Sequence, residues 1–135
     1  MNRKEILENR KKWITFLKTN PPKIKGMLES FKNQSERCCL GHGCYVFNLQ
    51  KEVDNQVIYE GSIYCAPPKL IELLGLRDDM GNIPQGYFDG DNVYTELTEM
   101  NDETNMTHKE IGEYLESVIE GGDNSPFLPL GDFDE

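Results

Sequence analysis

Apolar residues recur every three or four positions in five stretches of this chain, and each stretch predicts a helix. The first covers 3–19, where Ile6, Leu7, Trp13, Ile14, Phe16 and Leu17 stand among Arg and Lys, and the alkyl stem of Arg10 continues the stripe. Asn20-Pro21-Pro22 ends it, because proline cannot continue a helix and drives the preceding residue toward extended backbone. The second covers 39–47, with Cys39 or Leu40, then Gly43, Cys44 and Phe47 on one side, and its glycines permit close approach to a neighbour. The third opens on Ala66-Pro67-Pro68, carries Leu70, Ile71, Leu73 and Leu74, and stops at Gly75. A short fourth helix over 93–100 places Val93, Tyr94, Leu97 and Met100 together, closed by Asn101-Asp102. The fifth starts at Thr107-His108-Lys109-Glu110, a capping box, and runs through Ile111, Tyr114, Leu115, Val118 and Ile119 to Gly121-Gly122.

Alternation replaces helical spacing at two places. Ile24, Gly26 and Leu28 predict a strand from Lys23 onward, although Met27, Leu28 and Phe31 also suit a short helix; the polar stretch up to Arg37 is a loop. Gln56-Val57-Ile58-Tyr59 and Ser62-Ile63-Tyr64-Cys65 flank Glu60-Gly61 as the arms of a hairpin would. The stretch 77–92, rich in Gly, Pro and acids and anchored by Ile83, Tyr87 and Phe88, reads as a long loop, a length that is uncommon without a functional role or mobility. The expected fold is α+β: a single compact domain over 1–122 in which a small antiparallel sheet or hairpin packs with four to five helices. An acidic C-terminal tail, 123–135, follows, with Phe127, Leu128, Leu130 and Phe133 available to lie back on the domain.

Composition sharpens this picture through charge. The net charge of −10 divides unevenly: the first 37 residues carry ten Lys or Arg against four acids, a balance of +6, and the remainder carries four against twenty, a balance of −16. The halves attract each other, and the acidic part dominates the outer field. An acidic surface repels phosphate backbones, which disfavours direct nucleic-acid binding and favours protein partners with a basic surface. No apolar run reaches the roughly 18 residues of a membrane span, so no membrane association is expected and a cytoplasmic location is. Two of the four cysteines are adjacent, where bridging strains the backbone, and reduced thiols are expected.

Candidate chemistry concentrates in Arg37-Cys38-Cys39-Leu40-Gly41-His42-Gly43-Cys44-Tyr45. Thiolate and imidazole are zinc ligands, which makes Cys39, His42 and Cys44 metal candidates, but their spacing is not a finger pattern and a continuous helix points Cys39 and Cys44 apart. No metal or cofactor is expected. Cys38 or Cys39 at a helix start, with His108 or His42 as base and Asn101 or Asp102 orienting it, would make a nucleophile. Against this, His108 stands in the first turn of a capped helix, where polar residues are ordinarily exposed, and no separate oxyanion device is visible. A third arrangement sets His42, the basic N-terminal residues with Arg37 among them, and Trp13, Tyr45 and Tyr94 around a nucleotide-type small ligand, with Asn101 and Asp102 as further ligand or partner contacts. Against all three stands a buried helix whose thiols are core, with only His42 left unexplained by packing.

The order of certain short motifs also resembles a set of small, uncharacterised phage-encoded proteins. Trp13, Cys38-Cys39-Leu40-Gly41 with Cys44, Pro67 with Leu74-Gly75-Leu76, Leu97-x-x-Met100-Asn101-Asp102 and Thr107-x-x-Glu110-Ile111 follow in sequence over about 13–120. The resemblance departs at His42 and Gly43, where such proteins carry aliphatic residues, and at Gly112, where alanine is common. It implies a phage or prophage origin and a place in the host cytoplasm. The resulting expectation is a phage-type accessory protein that binds and neutralises a host factor, of the defence type, without catalysis. The alternatives are a sequestering protein for a nucleotide-type ligand and a cysteine-dependent hydrolase, and self-association is left open.

Overall fold

Ile6, Arg10, Trp13, Ile14 and Leu17 are the buried residues of helix α1, Arg3–Lys18, and their spacing is that of one helical face. Asn2 caps the helix by accepting from the Glu5 amide, and Asn20 turns the chain out at a φ of 62° ahead of Pro21. The computed structural model describes residues 1–25, 27, 37–49, 51–53, 56–58 and 65–135. In it α1 is the central rod: α2 (Cys39–Val46), α3 (Pro68–Leu74) and α5 (His108–Ser117) all pack against it, and α4 (Leu97–Glu103) reaches α2 and α5. With two antiparallel hairpins, this is the α+β arrangement expected from the periodicities.

Helices α1, α2 and α3 start and stop where their sequence signals lie, whereas α5 starts at its capping box but ends at Ser117, short of the stop expected at Gly121-Gly122. Pro68 stands in the first turn of α3 and Gly75 caps its end in the left-handed region, at a φ of 62°. A Cβ on Gly75 would stand 2.7 Å from the Phe133 ring and 2.9 Å from Arg10 Nη2, so close approach as well as conformation requires glycine there. Thr107 and Glu110 form the capping box of α5. Gly43 lets α2 lie close to its neighbours, since a Cβ would meet Leu70 and the Trp13 indole, each at 3.2 Å.

The strands depart from expectation. The stretch 77–92 is not a long loop: half of it is strand β3, Asn82–Asp89, which turns at Gly90-Asp91 into β4, Asn92–Glu96. Pro84 is tolerated because a two-stranded ribbon has only edge strands, and the neighbouring Gln85 amide donates to Asp123 O at 2.7 Å. Consequently the predicted helix over 93–100 is divided. Val93 and Tyr94 pair with Phe88 and Tyr87 across the ribbon, and the helix begins only at Leu97. Pairing outweighs helical spacing for a β-branched and an aromatic residue. The other hairpin also differs: β2, Gln56–Ile58, pairs with β1, Lys51–Val53, which precedes it. Its expected partner at 62–64 and the Glu60-Gly61 turn lie outside the described residues, as do most of the expected strand after Lys23 and the loop at 31–36. Lys23 itself forms a parallel bridge with Arg37.

The acidic stretch 123–135 runs back over the domain. Phe127 is fully buried, bridges Leu76, and meets Trp13 edge-on at 6.1 Å. Between Phe127 and α1 lies Arg10, whose whole side chain is enclosed, guanidinium included. Its Nε donates to Leu74 O at 2.7 Å, Nη1 to Ile119 O at 2.7 Å, and Nη2 to Leu128 O at 2.9 Å and Gly75 O at 3.3 Å. The guanidinium carbon stands 4.4 Å from the centre of the Phe127 ring. Burial pulls the Arg10 pKa down to about 10, which still leaves it a cation near neutrality. Among the described residues no carboxylate pairs with it; its counter-charge is the negative ends of α3 and α5.

Arg10→Met keeps the apolar stem and strips the donors from four carbonyls. It is expected to lower the free energy of unfolding by about 3 kcal/mol or more, seen as a lower urea midpoint at unchanged slope. A loss under about 1 kcal/mol would mean that the carbonyls find other donors.

Candidate functional site

Helix α2 starts at Cys38, whose backbone is extended and whose Sγ accepts from the Gly41 amide at 3.3 Å. The next amide, that of Cys39, donates to Asn101 Oδ1 of α4 at 3.1 Å. Asn101 Nδ2 donates in turn to Ile24 O at 3.0 Å and to Asp102 Oδ1 at 2.8 Å. A backbone N–H can only donate and a backbone carbonyl only accept, so these contacts fix which way the Asn101 amide points.

Both histidines belong to this cluster. His108 Nε2 reaches Asn101 Oδ1 at 3.1 Å and Nδ1 reaches Pro21 O at 3.0 Å; His42 Nε2 donates to Pro22 O at 2.8 Å. The two rings meet edge to face at 4.8 Å. Each imidazole therefore satisfies one of two successive proline carbonyls in the segment that leaves α1. Around His108 two acceptors favour the doubly protonated ring, and loss of water opposes it. Burial is the larger effect and brings His108 down to about 4. The same cause brings His42 to about 3, where Nδ1 is buried without a partner.

The geometry joins Cys39, His108 and Asn101 but does not make a nucleophile of them. Each His108 nitrogen faces an oxygen, Pro21 O or Asn101 Oδ1, and not a thiol. Burial pushes Cys38 up to about 12 and Cys39 well above the ordinary thiol value, the reverse of activation. His108 is 1% exposed, whereas its place in the first turn of a capped helix suggested a solvent-facing residue. Among the described residues no group of three His, Cys, Asp or Glu is placed to hold a metal ion, and this includes Cys39, His42 and Cys44.

The residues considered for a small ligand are brought together only in part: the Phe16 ring meets both His42 and Tyr45, at 5.5 and 5.6 Å between centres. Trp13 is closed in the core and donates from Nε1 to Cys39 O at 2.9 Å. Tyr45, on α2, lies under the Arg37 guanidinium at 4.2 Å, and Tyr94 faces Tyr87 across the β3–β4 ribbon. Trp13, His42, Tyr45 and Tyr94 are not in the linings of the cavities of about 400, 370, 340 and 230 Å³ bounded by described residues.

Asn101 and Asp102 do border a cavity of about 400 Å³, between the start of α2, Met27, the Cys65–Met80 contact and α4. Glu96, Glu99 and Glu103 share its lining, and sequence reasoning did not single them out. Their signal was present as Glu96-x-x-Glu99-x-x-Asp102-Glu103, a helical spacing cut short by ending that helix at Met100 instead of Glu103. Burial and a hydrogen bond to Glu99 raise the Glu96 pKa above the ordinary carboxylate value.

Comparison of the chain with protein-family models, with curated proteins and with solved structures finds no match. Among the described residues no helix is long and apolar enough to cross a membrane.

Because both histidines sit below their ordinary value of 6.5, the unfolded chain binds the extra protons as the pH falls from about 6.5 toward 4. Stability from this source is full above that window and is lost on acidification through it. Imidazole Hε1 resonances followed by NMR should show both midpoints below about pH 5. A midpoint near 6.5 for either ring would contradict the burial described.

Proposed function

We propose that this protein acts by binding, without chemistry of its own, a protein partner that presents a basic surface. The observation that carries the reading is the concave surface beside α4, whose described lining holds four carboxylates and no Lys, Arg or His. Apart from Met27, its described lining comes from the part of the chain whose balance is −16. The groups able to do chemistry support the same reading, because they are spent on folding: the imidazoles hold the Pro21 and Pro22 carbonyls, and Cys38 holds an amide of its own helix. On the resemblance to small phage-encoded proteins, the partner is a host factor of the defence type, neutralised in the cytoplasm of the infected cell.

Long-range attraction between opposite charges is screened by salt over roughly 10 Å at 0.1 M. Capture from a bacterial host lysate on the immobilised protein, in low and in high salt, is therefore expected to retain a basic partner whose yield falls as salt rises. No partner at either salt would overturn the reading.

A further inference from the structure

The cavity beside α4 has two chemically different parts. Met27, Leu40 and Met80 give it an apolar wall, to which Cys38 and Cys65 add sulfur. Glu96, Glu99, Asp102 and Glu103 give it a carboxylate side. Among the described residues Glu96, Glu99 and Glu103 have no ion-pair partner. Glu96 and Glu99 both line this side, three positions apart in the chain, and the nearness of Glu99 is among the causes that raise the Glu96 pKa.

The start of α2 also meets this cavity, and a free helix N-terminus would draw an anion instead. It is not free: the Cys39 and Gly41 amides already donate to Asn101 Oδ1 and Cys38 Sγ. The partial charge of such a terminus, roughly +0.5, is outweighed by the carboxylates around it. The balance favours a cation with an apolar body.

We propose that the cavity receives an arginine side chain from a protein partner, its methylene stem against Met27, Leu40 and Met80 and its guanidinium bridging Glu96 and Glu99. The inference rests on the binding reading above and names the contact through which it works. Arginine fits better than lysine because its planar fork of N–H donors matches two adjacent carboxylates, whereas an ammonium offers a compact, strongly hydrated point charge. Thioether side chains adapt to the shape of what enters. A hollow of about 400 Å³ is at the small end of ligand sites and admits one long side chain.

The test is an amide-resolved NMR titration with N-acetyl-arginine-N-methylamide at millimolar concentration, with the lysine and citrulline analogues as controls. The arginine probe is expected to shift amides of 38–40 and 96–103, the lysine probe to bind several-fold more weakly, and the uncharged citrulline probe to leave them unmoved. Glu96→Gln with Glu99→Gln should weaken the arginine probe roughly tenfold, the scale of one charge-assisted hydrogen bond, while dispersion elsewhere in the spectrum is kept. Equal responses to arginine and citrulline, or full affinity in the double variant, would overturn the proposal. Carrying the double variant through the lysate capture separates the two ideas. A salt-sensitive partner held equally by both proteins removes this site and leaves the binding reading. Probe binding by the arginine analogue with no captured partner keeps the site and removes the partner.

Discussion

A cation closed inside a protein without a carboxylate is costly unless its donors are all met, and Arg10 meets that condition with backbone alone. Its four acceptors come from the end of α3, the chain just after α5 and the returning C-terminal segment. One side chain on the central helix therefore fixes the positions of three other pieces of backbone. The Phe127 ring seals the guanidinium from the other side, and Gly75 has no side chain because Arg10 and Phe133 occupy the space one would need. The aliphatic contacts around α1 supply the greater part of the burial, but they are non-directional, and Arg10 determines which ends meet.

A second polar cluster does the same at the other end of α1. Asn101 ties α4 to the first amide of α2 and to Ile24 O, and two histidines hold the proline carbonyls that follow α1. The dense Cys and His stretch is thus explained by what its backbone needs. Cys38 serves as a cap, Cys39 presents an amide and a carbonyl to Asn101 and Trp13, and His42 donates to Pro22 O. Buried networks of this kind favour one arrangement over its rivals, since a partner removed leaves an orphan behind. His42 Nδ1 is such an orphan, among side chains that keep out water.

What could be read from the sequence was whatever has a local cause. The stripe of α1, the proline and glycine that bound α3, and the capping box of α5 each depend on residues a few positions apart, and each lies where it was expected. The β3–β4 ribbon was not legible because its pairing joins residues across a turn, and its glycines and Pro84 mimic a loop. Misplacing it moved α4 toward the N-terminus, to 93–100, and so left Asp102 and Glu103 off the helix that lines the cavity. The alkyl stem of Arg10 was visible in the pattern, but the carbonyls that receive its head come from residues 64 to 118 positions away. His108 was misjudged for a related reason: first-turn positions are usually exposed, and only the packing of α5 against the Pro21 segment buries this one.

The picture that results assigns the thiols and imidazoles to the fold and leaves the acidic concavity to function. Alkylation of the four cysteines in graded urea, resolved by mass spectrometry, tests that division most directly. Cys65, the partly exposed thiol, should react first under native conditions. Cys39 and Cys44, both fully buried, should react only along the global unfolding curve, at a rate set by opening and not by an acidic thiol. Fast native labelling of Cys39 below pH 8 would contradict this and return that stretch to the status of a reactive site.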